Sequence, residues 1–499
     1  MTKQYGLVVK HCAHEISVYL VGKKSKILSY QTEQLSSIDS ENAYEYNPEE
    51  WIFAIRSLIH RLMEREKVSP EQVKGISLVN TPSSFLLWDK SSGEPLTSIY
   101  DRGDMRCEGL CQVLRQNSMG REIKKRSCSS IYPNFSGPKL RWLAERNPEF
   151  KALLEKESTC FGTLDTWLIW HLTGQKVFQT DSSNAQETLF FSPLTQTWDY
   201  FLASEFGLSL AQLPTVVHQC EGLQTSGFLP FEDGTPIVAS MTSGMAGVLA
   251  QGGGRLGVGC LQFRGDMGQL FFPVTKDSCS KLESVDLVMQ LGSVGGAHLY
   301  GLEACFPSLK TLYNSLSQFL KEDKKLLAKV VGYDTTLKEM VVPKLHKPLV
   351  MGMVPELSFS ILGLSSETDN ERLTLAMIAS LAHQLKIVLL DLEQRLNCRL
   401  KELHISGEFA KYDGVMQLLS DILQVSLQSY AFEEPEVMGV SHFLEDVIES
   451  EGASQKSSQK VKTILPNLDP LTSYSIHETW FQQYTSLNRA VVMTQQSLF

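Results

Sequence analysis

The alternation of apolar and polar residues in the first hundred positions predicts several strands around one helix. Short apolar segments predict strands at 6–9, 16–20, 27–28 and 75–79. Asn47 followed by Pro48 is typical of a capped helix start, and the apolar residues that follow recur at helical spacing as far as Leu62. A hairpin-like pair follows at 85–88 and 96–100. The predicted order is therefore three strands, a helix and a strand.

The most distinctive pattern lies between Phe161 and Trp198. An apolar helical segment covers 164–172, and Gly174 is placed to end it in a left-handed cap. A strand-like piece then starts at 177–178. It is followed by the short polar side chains of 180–184, which form hydrogen bonds in turns. This pattern alone predicts a helix, a turn and a loop of an α/β protein.

The glycine-rich segment 251–254 predicts a flexible hinge between two domains, which we place at 1–251 and 256–499. Beyond it, the pattern predicts a strand-rich region at 257–272, a long helix at 372–396, a strand at 403–405, a helix at 416–423 and an amphipathic helix around Tyr474 and Trp480. The polar segment 449–462 is typical of a surface loop.

Composition narrows the classes of function. A length of 499 residues predicts several domains, and a net charge of −10 argues against a nucleic-acid-binding surface. No apolar run reaches the roughly 18 residues that span a bilayer, and the first residues are too weakly apolar for a signal peptide. The ten cysteines show no zinc-binding spacing. We therefore expect a cytoplasmic protein without a membrane span or a bound metal.

Two sequence strings carry a specific resemblance. FGTLDTWLIWHLTG, starting at Phe161, and TDSSNAQETLF, starting at Thr180, closely resemble the middle of the glycerol kinases, in the FGGY carbohydrate-kinase family. The resemblance implies an α/β fold of two actin-like, ribonuclease-H-like ATPase domains that face a central cleft. It places the substrate on the N-terminal side and the nucleotide on the C-terminal side, with ATP and Mg²⁺ as cofactors of active members.

The first motif of that family differs here. The family carries an aspartate for magnesium, then glycine and hydroxyl residues for phosphate, in the loop between the first two strands. At 10–14 this chain has Lys-His-Cys-Ala-His, without a carboxylate, a glycine or a hydroxyl. One hypothesis is that Lys10 contacts a phosphate, assisted by His11 or His14. The other is that the loop only links two strands.

The substrate-side motifs differ as well. Pro82 and Ser83 stand where the resemblance implies an arginine and a glutamate that bind the polyol, and Asn134 replaces a tyrosine. Ser243 falls at the position of the aspartate that serves as the catalytic base. A neutral serine is a poor base, and positioned bases contribute about 10²- to 10⁴-fold to such rates. If this matching is right, Pro82, Asn134 and Ser243 should line one cleft.

On the nucleotide side the resemblance implies vestigial cofactor-binding positions at Gly265, Gly268 and Gly407. Asp266 would place a carboxylate beside phosphate, and Glu408 replaces a second glycine. Each ligand-facing motif thus departs from the family pattern, whereas the strings that build the scaffold are retained.

Two functional hypotheses follow. The favoured one is a glycerol kinase-like protein of glycerol metabolism that is catalytically impaired and acts by binding or regulation, as a homo-oligomer or as a hetero-oligomer with an active glycerol kinase. The alternative is an ATP-dependent glycerol or polyol kinase, making glycerol 3-phosphate, whose reorganised site uses Lys10, Asp101 or Asp266.

Overall fold

The computed structural model describes the greater part of the 499 residues. The described residues are 4–38, 44–218, 220, 222–264, 267–278, 288–294, 297–308, 310–312, 314, 326–343, 359–432, 434–448 and 461–496. Gly265 and Asp266, and most of the segment 449–462 that was predicted as a loop, lie outside the described residues.

The N-terminal half is built on a five-stranded sheet in the order β13-β5-β1-β2-β3. The strands of this half are β1 Tyr5–His11, β2 Glu15–Val21, β3 Ile27–Gln34, β4 Glu45–Tyr46, β5 Val73–Asn80, β6 Phe85–Asp89, β7 Ile99–Tyr100, β8 Thr159–Thr163, β9 Gln179–Asp181, β10 Phe191–Ser192, β11 Thr197–Trp198, β12 Thr215–Val217 and β13 Ile237–Thr242. Strands β1, β2 and β3 pair antiparallel, whereas β5 is parallel to both β1 and β13.

The helices of this half are α1 Pro48–Glu66, α2 Glu108–Gln116, α3 Ser118–Ser127, α4 Ser136–Arg146, α5 Pro148–Leu154, α6 Leu164–Leu172, α7 Ser182–Gln186, α8 Tyr200–Glu205 and α9 Ser243–Ala250. Helix α1 begins as predicted, since the Asn47 side chain accepts hydrogen bonds from the backbone of Glu49 and Glu50 at 2.9 and 3.2 Å. Its buried stripe, which includes Trp51 and Leu58, packs into the same core as the inner strands.

The C-terminal half repeats the same topology in a seven-stranded sheet, ordered β16-β17-β15-β14-β20-β21-β22. Its strands are β14 Val258–Arg264, β15 Met267–Val274, β16 Val288–Val294, β17 Ala297–Pro307, β18 Met340–Pro343, β19 Phe359–Leu362, β20 Glu402–Gly407, β21 Ser426–Tyr430 and β22 Val461–Ile464. Strands β14, β15 and β17 are antiparallel neighbours, and β14, β20 and β21 are parallel. The same three-plus-two order in both halves confirms the predicted ribonuclease-H-like fold.

The helices of the second half are α10 Leu326–Lys329, α11 Asn370–Leu396, α12 Asp413–Leu423, α13 Pro435–Ile448 and α14 Pro470–Gln496. Among the described residues, α11 is the one helix long and apolar enough to cross a membrane by length and composition. However, 72% of its most apolar window is buried inside the protein. Helix α11 is therefore placed as a core helix of this half.

Two helices join the halves. Helix α9 leaves the N-terminal sheet and packs along α13, which belongs to the C-terminal half and lies against β5 and β1. These elements share one apolar cluster that contains Val8, Met245, Phe271 and Leu444. A Cβ atom at Gly439 would lie 1.8 Å from the carbonyl oxygen of Ala246, so the two helix backbones touch.

Candidate functional site

A cavity of about 170 Å³ lies between the two halves. Its described lining residues are Thr81, Pro82, Arg102, Glu187, Thr242, Ser243, Gly244, Met267, Gln269 and Glu303. The first seven come from the N-terminal half and the last three from the C-terminal half. The cavity is therefore the part of the cleft where both predicted domains meet.

The loop after β5 forms one wall. Ser83 holds the left-handed backbone conformation, with φ of 71°, and its Oγ donates to the carbonyl oxygen of Glu187 at 2.9 Å. The Ser83 carbonyl accepts a hydrogen bond from Ser136 Oγ at 2.9 Å. These bonds fix the loop so that Pro82, next to Ser83, faces the cavity.

Short polar side chains place Glu187 at this wall. Asp181 caps helix α7 by accepting from the backbone of Ser183 and Asn184 at 2.8 and 3.1 Å. The Asn184 and Asn80 amides exchange hydrogen bonds of 2.6 and 3.0 Å, which tie α7 to the end of β5. Glu187 follows α7 directly and is fully buried.

Arg102 supplies the positive charge of the lining. Its Nη1 lies 3.8 Å from Oε2 of Glu187, and its backbone N–H donates to Ser84 Oγ at 2.9 Å. The same Ser84 hydroxyl donates to Asp101 Oδ2 at 3.1 Å. Asp101, one of the carboxylates proposed for a reorganised site, thus accepts a hydrogen bond within this loop. It is not among the described residues that line the cavity.

The start of helix α9 forms the next wall. Thr242 is its N-cap and receives a long hydrogen bond, 3.4 Å, from the backbone of Met245, while its own N–H donates to Ser183 Oγ at 2.9 Å. Ser243 is therefore the first helical residue and lines the cavity. A Cβ atom at Gly244 would lie 2.7 Å from Nε2 of Gln269, so the glycine allows the second half to approach this helix closely.

Glu303, on β17, closes the cavity from the C-terminal half. Its side chain is 3% exposed, and its Oε1 accepts a hydrogen bond from Sγ of Cys305 at 2.9 Å. Within the described part of the chain, its Oε2 has no hydrogen-bond partner. A buried carboxylate oxygen without a partner is costly, because it has lost water and gained nothing in exchange.

Lys10 and His11, which were predicted in the first loop, lie in strand β1, and Lys10 is bound within the protein. Nζ of Lys10 lies 2.8 Å from Oε2 of Glu434 and 3.3 Å from Oε2 of Glu436, both at the start of α13. Burial acts to lower the pKa of Lys10, but the two carboxylates outweigh it, and the net pKa is raised. The Lys10 ammonium therefore forms ion pairs with both carboxylates and links the two halves.

The histidines of this loop do not converge on the cavity. The His11 ring is buried edge-on against Trp51, with ring centroids 5.1 Å apart, and burial lowers its pKa to about 3. His14 is exposed near Cys12 and Tyr46. The loop itself is held by the Trp51 indole, which donates to the Cys12 carbonyl at 2.9 Å.

The structure brings together most of the predicted substrate-side positions. Pro82 and Ser243 line the cavity, and Ser83 is bonded to its wall. Asn134 is not among the lining residues. It is buried, its side-chain amide has no hydrogen-bond partner within the described residues, and its carbonyl accepts from Nζ of Lys139 at 2.8 Å. Burial lowers the pKa of Lys139 to about 8.

The glycines assigned to the nucleotide side have close contacts inside the protein. A Cβ atom at Gly268 would lie 2.1 Å from the Phe306 ring, and one at Gly407, where φ is 101°, would lie 2.0 Å from the Phe263 carbonyl oxygen. Packing accounts for both glycines, and a nucleotide contact there remains a prediction. Gly265, the third assigned position, lies outside the described residues.

These residues do not fit a magnesium–nucleotide complex at the implied positions. Lys10 is a cation where a metal ligand is implied, and its ammonium is already paired. Magnesium bound with a nucleotide usually needs one or two protein carboxylates, and the implied segment 10–14 offers none. The implied loop therefore lacks a carboxylate ligand for magnesium.

Sequence reasoning missed the charged residues of the cavity. Arg102 stands in an Arg-Gly-Asp tripeptide, a motif whose adhesion role needs an extracellular context, so the residues around it do not mark a cavity residue. Glu187 lay inside a string attributed to the scaffold, and no local pattern marked Glu303. The available signal for Glu303 was a single carboxylate within an otherwise apolar segment, LYGLEACF.

Comparison with known proteins gives consistent matches across the chain. Residues 7–250 match the N-terminal domain of the FGGY family of carbohydrate kinases, and residues 274–442 match its C-terminal domain. Glycerol kinase of Bacillus subtilis is 26% identical over 444 residues, covering 85% of this chain and 86% of the relative. Glycerol kinase of Carboxydothermus hydrogenoformans is 25% identical over 504 residues, covering 97% and 98%.

Solved structures show the same fold at lower identity. Plasmodium falciparum glycerol kinase with ADP superposes with a TM-score of 0.86 at 19% identity, covering 97% of this chain and 98% of that chain. Xylulose kinase from Rhodospirillum rubrum superposes with a TM-score of 0.81 at 16% identity, covering 98% and 99%. These similarities extend over both halves of the chain.

Proposed function

Because this chain belongs to the FGGY family of carbohydrate kinases, we propose that it is a glycerol kinase-like protein that has lost efficient phosphoryl transfer and acts by binding. Members of this family use ATP, generally with magnesium, to phosphorylate a carbohydrate. A protein of this kind keeps the fold and the cleft of the enzyme but lacks its chemical step.

The observation that carries this proposal is the pairing of Lys10 with Glu434 and Glu436. Phosphoryl transfer needs cations or metal at the phosphates and a free phosphate-binding loop. At the implied loop, the cation is neutralised by two carboxylates of the same chain, which would also repel an incoming phosphate.

Ser243 supports the same conclusion. It begins helix α9 on the cavity wall, where the resemblance implies the base, and a hydroxyl cannot accept the substrate proton at neutral pH. A specific observation keeps the alternative kinase open as a second candidate. Glu187 and Glu303 both line the cavity, and a relocated base would need such a carboxylate.

We propose cytoplasmic location, no interaction with nucleic acid, and assembly as a homo-oligomer or as a hetero-oligomer with an active glycerol kinase. The last idea is tested by co-purifying the two proteins and measuring whether the active enzyme's rate changes at fixed concentration.

The central test is calorimetric titration of the intact protein with Mg·ATP, with and without glycerol, alongside a coupled assay for ADP release. We expect no turnover, and no tightening of nucleotide binding when glycerol is present. Turnover, or a clear mutual tightening of the two ligands, would favour the alternative kinase.

The Ser243→Asp variant sharpens this test. We expect it to remain without appreciable turnover, because restoring a base leaves Lys10 and its carboxylates unchanged. Ser243→Asn is the matched control, with the same shape and no charge. A robust gain of ADP release in the aspartate variant alone would contradict the idea that several sites changed together.

A further inference from the structure

We propose that the cavity binds a small hydroxylated cation of the amino alcohol class in preference to a neutral polyol. This inference rests on the proposed binding function and specifies the class of its ligand. The charged groups of the lining, the partners of Glu303 and the size of the cavity point to it.

The first step is the balance of charge. The described lining contains two carboxylates, Glu187 and Glu303, and one guanidinium, that of Arg102. Arg102 lies 3.8 Å from Glu187 and so offsets that charge. Glu303 stands on the wall formed by the C-terminal half, where its Oε1 accepts a hydrogen bond from the thiol of Cys305. The lining residues that the structure describes therefore carry one excess negative charge.

The second step concerns the hydrogen bonds of Glu303. A thiol is a weak donor, and Oε2 of Glu303 lacks a partner among the residues that the structure describes. An ammonium group offers three donors together with the opposite charge. A neutral hydroxyl that donates to this carboxylate forms a hydrogen bond with one ionised partner, whereas an ammonium adds the attraction between two opposite charges. A ligand ammonium would thus satisfy Glu303 better than a neutral hydroxyl.

The third step is the rest of the lining and its size. Hydroxyls of Thr81, Thr242 and Ser243 can bond the hydroxyls of a ligand, and Pro82 and Met267 supply apolar contact. The volume of about 170 Å³ slightly exceeds the roughly 150 Å³ of a cavity that takes up benzene, a molecule of six heavy atoms. 3-Amino-1,2-propanediol is of this size and differs from glycerol by one ammonium group.

The test compares these two probes. Calorimetric titration of the intact protein at pH 7 should show 3-amino-1,2-propanediol binding about tenfold more tightly than glycerol. Glu303→Gln keeps the shape of the side chain and removes its charge, so this preference should disappear. Ser243→Asp adds a negative charge to the same lining and should increase the preference, which tests the proposal even if Glu303→Gln folds poorly.

Glu371→Gln is the control, because it removes one exposed carboxylate that pairs with Lys329 and is not among the described lining residues. It should leave the preference unchanged. Equal or tighter binding of glycerol, a preference that survives Glu303→Gln, or no binding of either probe would overturn the ligand class. Turnover with Mg·ATP would instead overturn the proposed function, while a preference for the amine would still support the ligand class.

Discussion

Single buried polar side chains connect the elements of the N-terminal half. The Asp165 carboxylate is fully buried and accepts hydrogen bonds from Oγ1 of Thr163 and Thr180 at 2.5 and 2.6 Å. Through them it ties helix α6 to strand β9, which leads into α7 and Glu187. Burial raises the pKa of Asp165 to about 7, and the nearby charge of Asp181 acts in the same direction.

This pKa predicts a pH-dependent stability. Folded protein holds the proton of Asp165 more tightly than an ordinary aspartate with a pKa of 3.8. The contribution of Asp165 to the free energy of unfolding should therefore fall as pH rises from about 4 to about 7, and stay constant above. The stability of wild type relative to Asp165→Asn should decline across that range, by up to about 1.4 kcal/mol per pH unit.

Urea unfolding of both proteins at pH 5 and pH 7.5 measures this decline. The control is Asp391→Asn, which removes an exposed carboxylate paired with Arg395 and should show no such trend. A difference between wild type and Asp165→Asn that is the same at both pH values would show that Asp165 is ionised throughout.

The residues of the site were predictable only where a family motif places them. The resemblance to the glycerol kinases locates Pro82 and Ser243, and both line the cavity. Glu187 and Glu303 reach the same cavity through the packing of α7 on β5 and of β17 on β15. Such contacts join residues far apart in the chain, and no spacing along the sequence encodes them.

Among the elements, α9 and α13 decide how the halves meet. Their backbones are in contact at Gly439, where no side chain fits. The Ser77 hydroxyl of β5 donates to the carbonyl of Val440, and a Cβ atom at Gly75 would lie 3.0 Å from Val447. Helix α13 thus lies directly on the first sheet.

Gly439→Ala should destabilise the protein by about 1–3 kcal/mol, because the added methyl group forces α13 away from α9. Gly109→Ala is the matched control, since Gly109 lies within helix α2 and a Cβ atom there meets nothing within 4 Å. That change should stabilise the protein by about 0.5–1 kcal/mol. Urea unfolding compares the two, and equal effects would contradict the close contact of the helices.

Elements with strong local signals were predicted well. Helix α1 begins at its predicted Asn47 cap and α11 ends at Leu396 as predicted. The strand expected from 177–178 lies instead at Gln179–Asp181, where it pairs with β12, a partner that local sequence does not reveal. The position of α13 across the first sheet was likewise invisible in the sequence, because it depends on contacts between distant segments.

The molecule consists of two similar halves that share one apolar core. The apolar cluster around α9 and α13 takes residues from both sheets. Polar links add to it, since Lys10 pairs with Glu434 and Glu436, and Ser25 Oγ donates to Glu445 Oε1 at 2.6 Å. The halves are therefore joined by packed and charged contacts in addition to the glycine-rich segment 251–254.

We expect calorimetry of the intact protein to show one cooperative unfolding transition. Lys10→Met should lower its midpoint, with a loss of about 1–3 kcal/mol, because Glu434 and Glu436 lose their shared cation. Lys329→Met, which breaks an exposed pair with Glu371, should have little effect. Two resolved transitions, with Lys10→Met moving only one, would show that the halves unfold independently.

The place of α13 in the chain also matters during biosynthesis. The first sheet is complete once Thr242 has been added, yet the helix that covers Gly6 and Gly75 begins only at Pro435. Until α13 emerges from the ribosome, the nascent chain presents an apolar sheet face to solvent, and such faces recruit chaperones or aggregate. Premature termination before α13 is complete at Ile448 should therefore yield a product for degradation, and not a usable N-terminal domain.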